Sequence, residues 1–345
     1  MTTPRHVRPG TTWFVTRRTT RRHFLLRPDE DRTLQNIYWY ATAVIAGEMG
    51  IELHAVQMLS THIHEVLTDP RGELPRFLQQ RNRLFANAIK VHRGWPEEVF
   101  ARAPTNYVAL YGAAAVEKEV GYTLANCVEA GLVSRPEDWP GVTIAREGLG
   151  RAVIRVTRPT AYFDPQNPRW PPEVVLRITL PEVLVKTYGS RTDARNALCR
   201  AVDAAVSIAR AAATKAGRLV GAVRDLLRIP FYRRATGHEP FRRRFPTFAT
   251  AGVPEATRQA RQERATFLAK YREALKALRR KDATALFPHG TWRLCREFGA
   301  TMERDLQAQP EARAPADVEV NVGRIGIPVP APFPSPASLP VSETA

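Results

Sequence analysis

Thr11-Thr12-Trp13-Phe14-Val15-Thr16 crowds β-branched and aromatic residues into one stretch and reads as a first strand. It runs into Arg17-Arg18-Thr19-Thr20-Arg21-Arg22, and acidic residues in Pro28-Asp29-Glu30-Asp31 then suit a helix start. Leu34, Ile37, Tyr38, Ala41, Val44 and Ile45 recur at helical spacing, with Gly50 as the C-cap. Residues 51–58 alternate as a second strand. A short turn at Leu59-Ser60-Thr61 leads into a third, which carries His62 and His64, so the two should pair as a hairpin. After Asp69-Pro70-Arg71-Gly72 the period is helical again, with Leu74, Phe77, Leu78, Leu84, Phe85, Ala88 and Ile89 as the apolar stripe. Gly94-Trp95-Pro96 breaks it, and residues 106–111 read as a fourth strand. The order strand, helix, strand, strand, helix, strand predicts an α+β, ferredoxin-like (RRM-like) antiparallel sheet with helices on one face and the other face free.

A further helix spans about residues 115–130 and stops at Gly131. Val120, Leu124, Cys127 and Val128 fall on one side of it, whereas Tyr122 and Asn126, one turn apart, share the opposite side. Pro136-Glu137-Asp138-Trp139-Pro140 closes a first domain over residues 1–145. Residues 146–190 read as a linker with short strands at 153–156 and 174–178, separated by a Pro-rich stretch that regular structure does not accommodate. Residues 191–312 read as a basic helical region: an Ala-rich helix over 191–227, capped or kinked at Gly217 and Gly221, and a strongly basic one over 254–281. Residues 313–345 are Pro-rich and expected to be disordered.

Charge sharpens this division. The chain carries a net +17. Residues 1–150 hold 18 Lys+Arg against 16 Asp+Glu, and residues 151–345 hold 33 against 18. An excess of that size points to a polyanion, nucleic acid before a membrane surface. No apolar run approaches the ~20 residues of a membrane span, so no membrane partner is expected. Cys127, Cys199 and Cys295 lie far apart with no CxxC, which argues against a disulfide framework or a zinc knuckle. A reducing, cytoplasmic compartment follows, and no apolar segment after the N-terminal arginines suggests a signal peptide.

Candidate chemistry centres on His62 and His64. Residues i and i+2 of a strand point to one face, so both imidazoles aim at one spot and supply half of a divalent-metal site; the alternative is a strand face that binds nothing. Glu65 points to the opposite face. Arg17, Arg18, Arg21 and Arg22 beside an aromatic strand read either as a phosphate clamp or as a solvated turn. Phe231-Tyr232-Arg233-Arg234 and Phe241-Arg242-Arg243-Arg244-Phe245 interleave arginines with aromatics, a composition suited to neutralising a phosphate backbone and stacking on bases.

Taken together, these residues give a resemblance. The stretch from Trp13 to Trp139 resembles the single-tyrosine HUH transposases, in particular the REP-associated tyrosine transposase branch. The matching pieces are Trp13-Phe14-Val15-Thr16-Arg17-Arg18, then Met58 before His62-Ile63-His64, then Tyr122-Thr123-Leu124-Ala125-Asn126, Ala130-Gly131-Leu132-Val133 and Asp138-Trp139-Pro140. Cys127 stands where the family has proline, and Gly141-Val142-Thr143 where it has an aromatic residue and two serines. The resemblance implies a transposase-type endonuclease and strand transferase acting on single-stranded or hairpin DNA. It implies Tyr122 as the nucleophile that forms a 5′-phosphotyrosine. His62, His64 and Asn126 would hold Mg²⁺ or Mn²⁺, with no small-molecule cofactor. Trp13, Arg17, Arg18, Arg21 and Arg22 would contact DNA; Arg242, Arg243 and Arg244, in a basic region from about residue 190 onward that has no counterpart in the short family members, are expected to do so from their composition. A monomer or homodimer associated with the nucleoid is the expected form. The competing expectations are a nucleic-acid-binding protein on the same fold with a decayed site, and a metal-dependent nuclease that activates water.

Overall fold

The computed structural model describes residues 4–103, 105–217, 223–236, 246–282, 284–291, 294 and 298–303. The Pro-rich tail and the Arg242-Arg243-Arg244 cluster lie outside the described residues. The chain is a mixed α+β structure. Its first half runs β1 (Thr11–Arg18), α1 (Thr33–Met49), β2 (Glu52–Leu59), β3 (His62–Asp69), α2 (Leu74–Arg93), β4 (Asn106–Leu110) and α3 (Ala113–Glu129). There follow β5 (Val153–Thr157), β6 (Glu173–Arg177), α4 (Glu182–Tyr188), α5 (Arg191–Lys215), α6 (Val223–Arg228), β7 (Phe248–Ala249), α7 (Pro254–Arg279), β8 (Leu286–Phe287) and β9 (Thr301–Met302).

The main sheet has the order β2-β3-β1-β4-β7. β1 lies antiparallel between β3 and β4, in a register that sets Thr16 opposite His64 and Trp13 opposite both Leu67 and Ala109. β2 and β3 form the hairpin, turning through Ser60-Thr61. β7 adds a two-residue parallel edge to β4. The outer edge of β2 is covered in turn: Met58 N–H donates to Val142 O (2.9 Å), Trp139 Nε1 donates to Met58 O (2.9 Å), and Thr179 N–H donates to Leu53 O (3.0 Å). These bonds blunt an otherwise open strand edge.

The two faces of β3 are filled differently. Glu65 points to the face covered by α1 and α2. There it accepts hydrogen bonds from Tyr38 Oη (2.6 Å) and from both terminal nitrogens of Arg81 (2.6 Å each). The expectation that the other face would be free needs correction. α3 lies over the β2–β3 half of that face, and α5 packs along α3. The reason is compositional: α3 carries Gly121 and Ala125 beside its apolar stripe, so it offers one side to the sheet and another to the alanines of α5. α1 is buried almost all round for a similar reason, since α2 flanks it and the β5–β6 hairpin lies across it. One contiguous core runs from Val7 to Ala260 and includes Leu176, Ile178, Leu184 and Leu198.

His54 on β2 shows what this burial costs at low pH. It is fully buried, its Nδ1–H donates to Thr179 O (3.0 Å), and its Nε2 accepts from Thr68 Oγ1 (2.8 Å). Burial pushes its pKa down from 6.5 to about 4. Between those values the unfolded chain binds the proton and the folded chain does not. The His54 contribution is therefore intact above pH 6.5 and is lost as pH falls through that window toward 4. Urea midpoints measured against pH should fall across the window. In His54→Gln the slope should flatten by one proton's worth, about 1.4 kcal/mol per pH unit at most.

Candidate active site

Strand parity places His62 and His64 side by side on the α3 face of β3, with ring centroids 4.8 Å apart. α3 brings two side chains to them. The Tyr122 ring meets His64 edge-on at 5.3 Å, and Asn126 Oδ1 accepts from His62 Nε2 at 3.1 Å. Asn126 Nδ2 in turn points at the Tyr122 hydroxyl, 3.4 Å away. The helical spacing of four is what lets one amide touch both the phenol and the imidazole. Tyr122 remains 38% exposed, whereas His64 is 4% and Asn126 7% exposed. The phenol thus sits at the mouth of the cluster, with His62 half-buried and His64 and Asn126 inside.

Threonine hydroxyls hold the far side of each imidazole. Thr16 Oγ1 lies 3.0 Å from His64 Nδ1, and Thr61 Oγ1 lies 2.9 Å from His62 Nδ1. A hydroxyl donates or accepts, so each threonine serves either ring tautomer and leaves Nε2 turned toward the site. Burial holds both imidazoles neutral. His62 falls to about 4, with Arg18 and Arg22 adding to the effect against the Asn126 hydrogen bond, and His64 is lowered by burial, then by His62 and Arg18. His62 Nε2 carries the proton it gives to Asn126, so a cation there would need that proton moved to Nδ1, where Thr61 Oγ1 can accept it.

The donor set is two imidazole nitrogens and one amide oxygen. Among the described residues no cluster of three His, Cys, Asp or Glu side chains surrounds a metal position. That composition does not suit a closed four-ligand zinc site. An open set of two imidazoles and one amide oxygen could hold a divalent cation that completes its shell with water and phosphate oxygens.

No protein-family model matches the chain, and no curated protein matches it. Among solved structures, the chain is similar to a REP-associated tyrosine transposase bound to a REP hairpin. The two are 21% identical, the match covers 41% of this chain and 81% of that one, and the TM-score is 0.35. It is also similar to a Deinococcus radiodurans R1 protein assigned as a transposase, with 19% identity, 31% and 85% coverage, and a TM-score of 0.24. Likenesses of this extent are limited, and the functional reading rests on the side-chain geometry.

The predicted DNA-contacting residues divide. Trp13 is corrected: at 2% exposure it is a core residue, on the α1/α2 side of the sheet and edge-on to Tyr107 at 5.4 Å, with no face to offer a base. Its neighbour Phe14 has the site parity and stacks on His64 at 5.2 Å, and sequence reasoning assigned it no role. Arg17 shares the parity of Trp13. It donates to Ala103 O (2.6 Å) and lies over the Phe100 ring, away from the histidines. Arg18 pairs with His62 across the strands, and its charge, with that of Arg22, bears on His62. Arg21 and Arg22 adopt left-handed backbone, φ 45° and 58°, which non-glycine residues take up only where the surroundings enforce it.

Gly121, next to the tyrosine, fixes how closely α5 approaches. A Cβ there would meet Ala201 O at 2.9 Å and Ala205 Cβ at 3.1 Å. A backbone carbonyl in a helix cannot turn aside. Glycine here forgoes about 1 kcal/mol of helix propensity, which the close packing offsets. Gly121→Val should lower stability by about 1–3 kcal/mol through overpacking, read as a lower urea midpoint. An unchanged midpoint would mean that α5 is not seated on α3 as described.

Proposed function

We propose that this chain is a transposase-type endonuclease and strand transferase that nicks and rejoins single-stranded DNA through a covalent 5′-phosphotyrosine. One observation carries the reading: an accessible phenol, Tyr122, stands beside two neutral, same-face imidazoles of the same chain, His64 buried and His62 half-buried, with Asn126 bridging the phenol and His62. The resemblance in sequence order supports it. So does the order β2-β3-β1-β4 with α1 and α2 on one face, which agrees with a ferredoxin-like unit.

In this reading the Tyr122 oxygen attacks the scissile phosphorus and the bond from phosphorus to the 3′-oxygen breaks. The phenol proton leaves to solvent or to the departing 3′-oxygen, which ends as a free hydroxyl. The phosphotyrosine keeps the energy of the broken ester, so a 3′-hydroxyl can reverse the step without a nucleotide cofactor. A phenol of pKa near ~10 is a weak nucleophile at neutral pH. His62, His64 and the Asn126 amide oxygen would hold Mg²⁺ or Mn²⁺, which when bound polarises the scissile phosphate and stabilises the leaving 3′-oxygen. Two imidazoles favour Mn²⁺ on ligand chemistry. Phe14 and Asn126 orient the phenol, and Arg18 and Arg22 supply positive charge where the phosphate would sit. Residues 1–145 carry the chemistry, and the later helices brace α3.

The test is to incubate the protein with a hairpin-bearing single strand and Mn²⁺ and to resolve the products on a denaturing gel. A protein–DNA adduct that survives denaturation is expected. Binding without an adduct would instead indicate a nucleic-acid-binding protein with a decayed site, and cleavage without an adduct would indicate a water-activating nuclease.

A further inference from the structure

The stretch Phe231-Tyr232-Arg233-Arg234 belongs to the basic later part of the sequence, yet it is fastened to the arginine loop beside the histidines. Phe24 N–H donates to Arg233 O (2.9 Å), Ala235 N–H donates to Arg22 O (3.1 Å), and His23 pairs with Arg234 as an antiparallel bridge. His23 Nδ1 bonds to Tyr232 O at 2.6 Å, and the Arg27 guanidinium donates to Leu227 O and Ile229 O. The loop is itself tied to the turn before His62, since Thr19 N–H donates to Thr61 O (2.9 Å) and Leu26 N–H donates to Ser60 O (3.1 Å). A continuous run of backbone bonds therefore links the later segment to the site.

The side chains of the segment sort by exposure. Phe231 is half-buried beneath the Arg93 guanidinium, 5.2 Å from its ring, and anchors the segment. Tyr232 is 61% exposed, and Arg233 and Arg234 are exposed beside it. An aromatic ring of that size left in water within a group of arginines is what an unpaired base stacks on while its phosphates are neutralised. The left-handed backbone at Arg22 is bound directly to this segment through its carbonyl, which Ala235 N–H meets at 3.1 Å.

We infer that residues 227–236 extend the proposed DNA site, with Tyr232 as a stacking platform and Arg233 and Arg234 as phosphate contacts for single-stranded DNA next to the cleaved bond. The inference rests on the proposed function for its choice of partner but not on catalysis. The test is fluorescence anisotropy of the full chain with a labelled unstructured DNA strand, in EDTA so that nothing is cut. Tyr232→Ala should weaken binding by roughly 5- to 150-fold, Tyr232→Phe should bind as wild type, and blunt duplex affinity should hardly change. Arg233→Gln with Arg234→Gln should reduce the slope of log affinity against log salt by about 1.4. Wild-type affinity in Tyr232→Ala would overturn the inference and leave the proposed function standing. A wild-type chain that binds no single strand would overturn both.

Discussion

Tyr122→Phe abolishes the covalent adduct and lowers strand cleavage by at least about a thousandfold, while affinity for a single strand stays within about twofold of wild type. The variant keeps the ring that meets His64 and the edge contact with Phe14 at 5.9 Å. It loses one hydroxyl and a long 3.4 Å contact from Asn126, on a side chain already 38% exposed. Stability should therefore change by less than about 1 kcal/mol, as expected for a conservative change at an exposed side chain that keeps its ring. Only the bond-forming atom is gone. A thermal midpoint and an anisotropy titration on the same sample establish that the protein is folded and binds. The gel then reads the chemistry alone. Cleavage that persists in Tyr122→Phe would assign the attack to water and remove the phosphotyrosine from the mechanism.

Two kinds of information decided what the sequence could reveal. Local periodicity placed His62 with His64, and Tyr122 with Asn126, because each pair lies on a single element whose repeat is known. Glu65 was placed on the reverse face by the same rule. Which face of β1 joins the histidines depends on the register between β1 and β3, a pairing of residues nearly fifty positions apart, Thr16 with His64. Trp13 and Phe14 are adjacent aromatics, and nothing local separates them, so periodicity alone does not tell the core tryptophan from the site phenylalanine. Thr16 and Thr61 were equally hidden, since a threonine that holds an imidazole looks like any strand or turn threonine. The cover that α5 lays over α3 depends on an Ala-rich face meeting Gly121, and small residues give little hydrophobic signal. The fastening of residues 227–236 to the arginine loop runs through backbone bonds, to which side-chain patterns are blind.

Beneath the histidines, on the other face of β3, Glu65 and Arg81 set up the largest stability effect expected of any single substitution. Their side chains are 1% and 0% exposed. The two terminal nitrogens of Arg81 grip the two carboxylate oxygens, and its guanidinium lies near the rings of Tyr38 and Phe77 at 5.6 and 5.5 Å. Tyr38 donates to the same carboxylate, and burial, then the Glu65 charge, push its phenol well above the usual tyrosine range, so it stays a donor. Glu65→Met leaves a buried guanidinium with no counter-charge and should cost about 3–5 kcal/mol. That is a large share of the roughly 5–15 kcal/mol that holds a typical domain folded. Arg81→Met leaves the carboxylate with Tyr38 alone and should cost a similar amount. The double substitution removes both charges, so it should be more stable than either single variant, because no charge is left buried without its partner. Urea unfolding of the four proteins closes the cycle. A double variant no better than the singles would show that neither charge is penalised when left without its partner, and a double variant less stable than wild type would show that the pair attracts by more than it costs to bury. The consequence for the site follows from strand parity. Glu65 ties β3 to α2 and Tyr38 on one face, and His64, the residue before it, faces Tyr122 on the other, so the same strand carries the buried pair and the site.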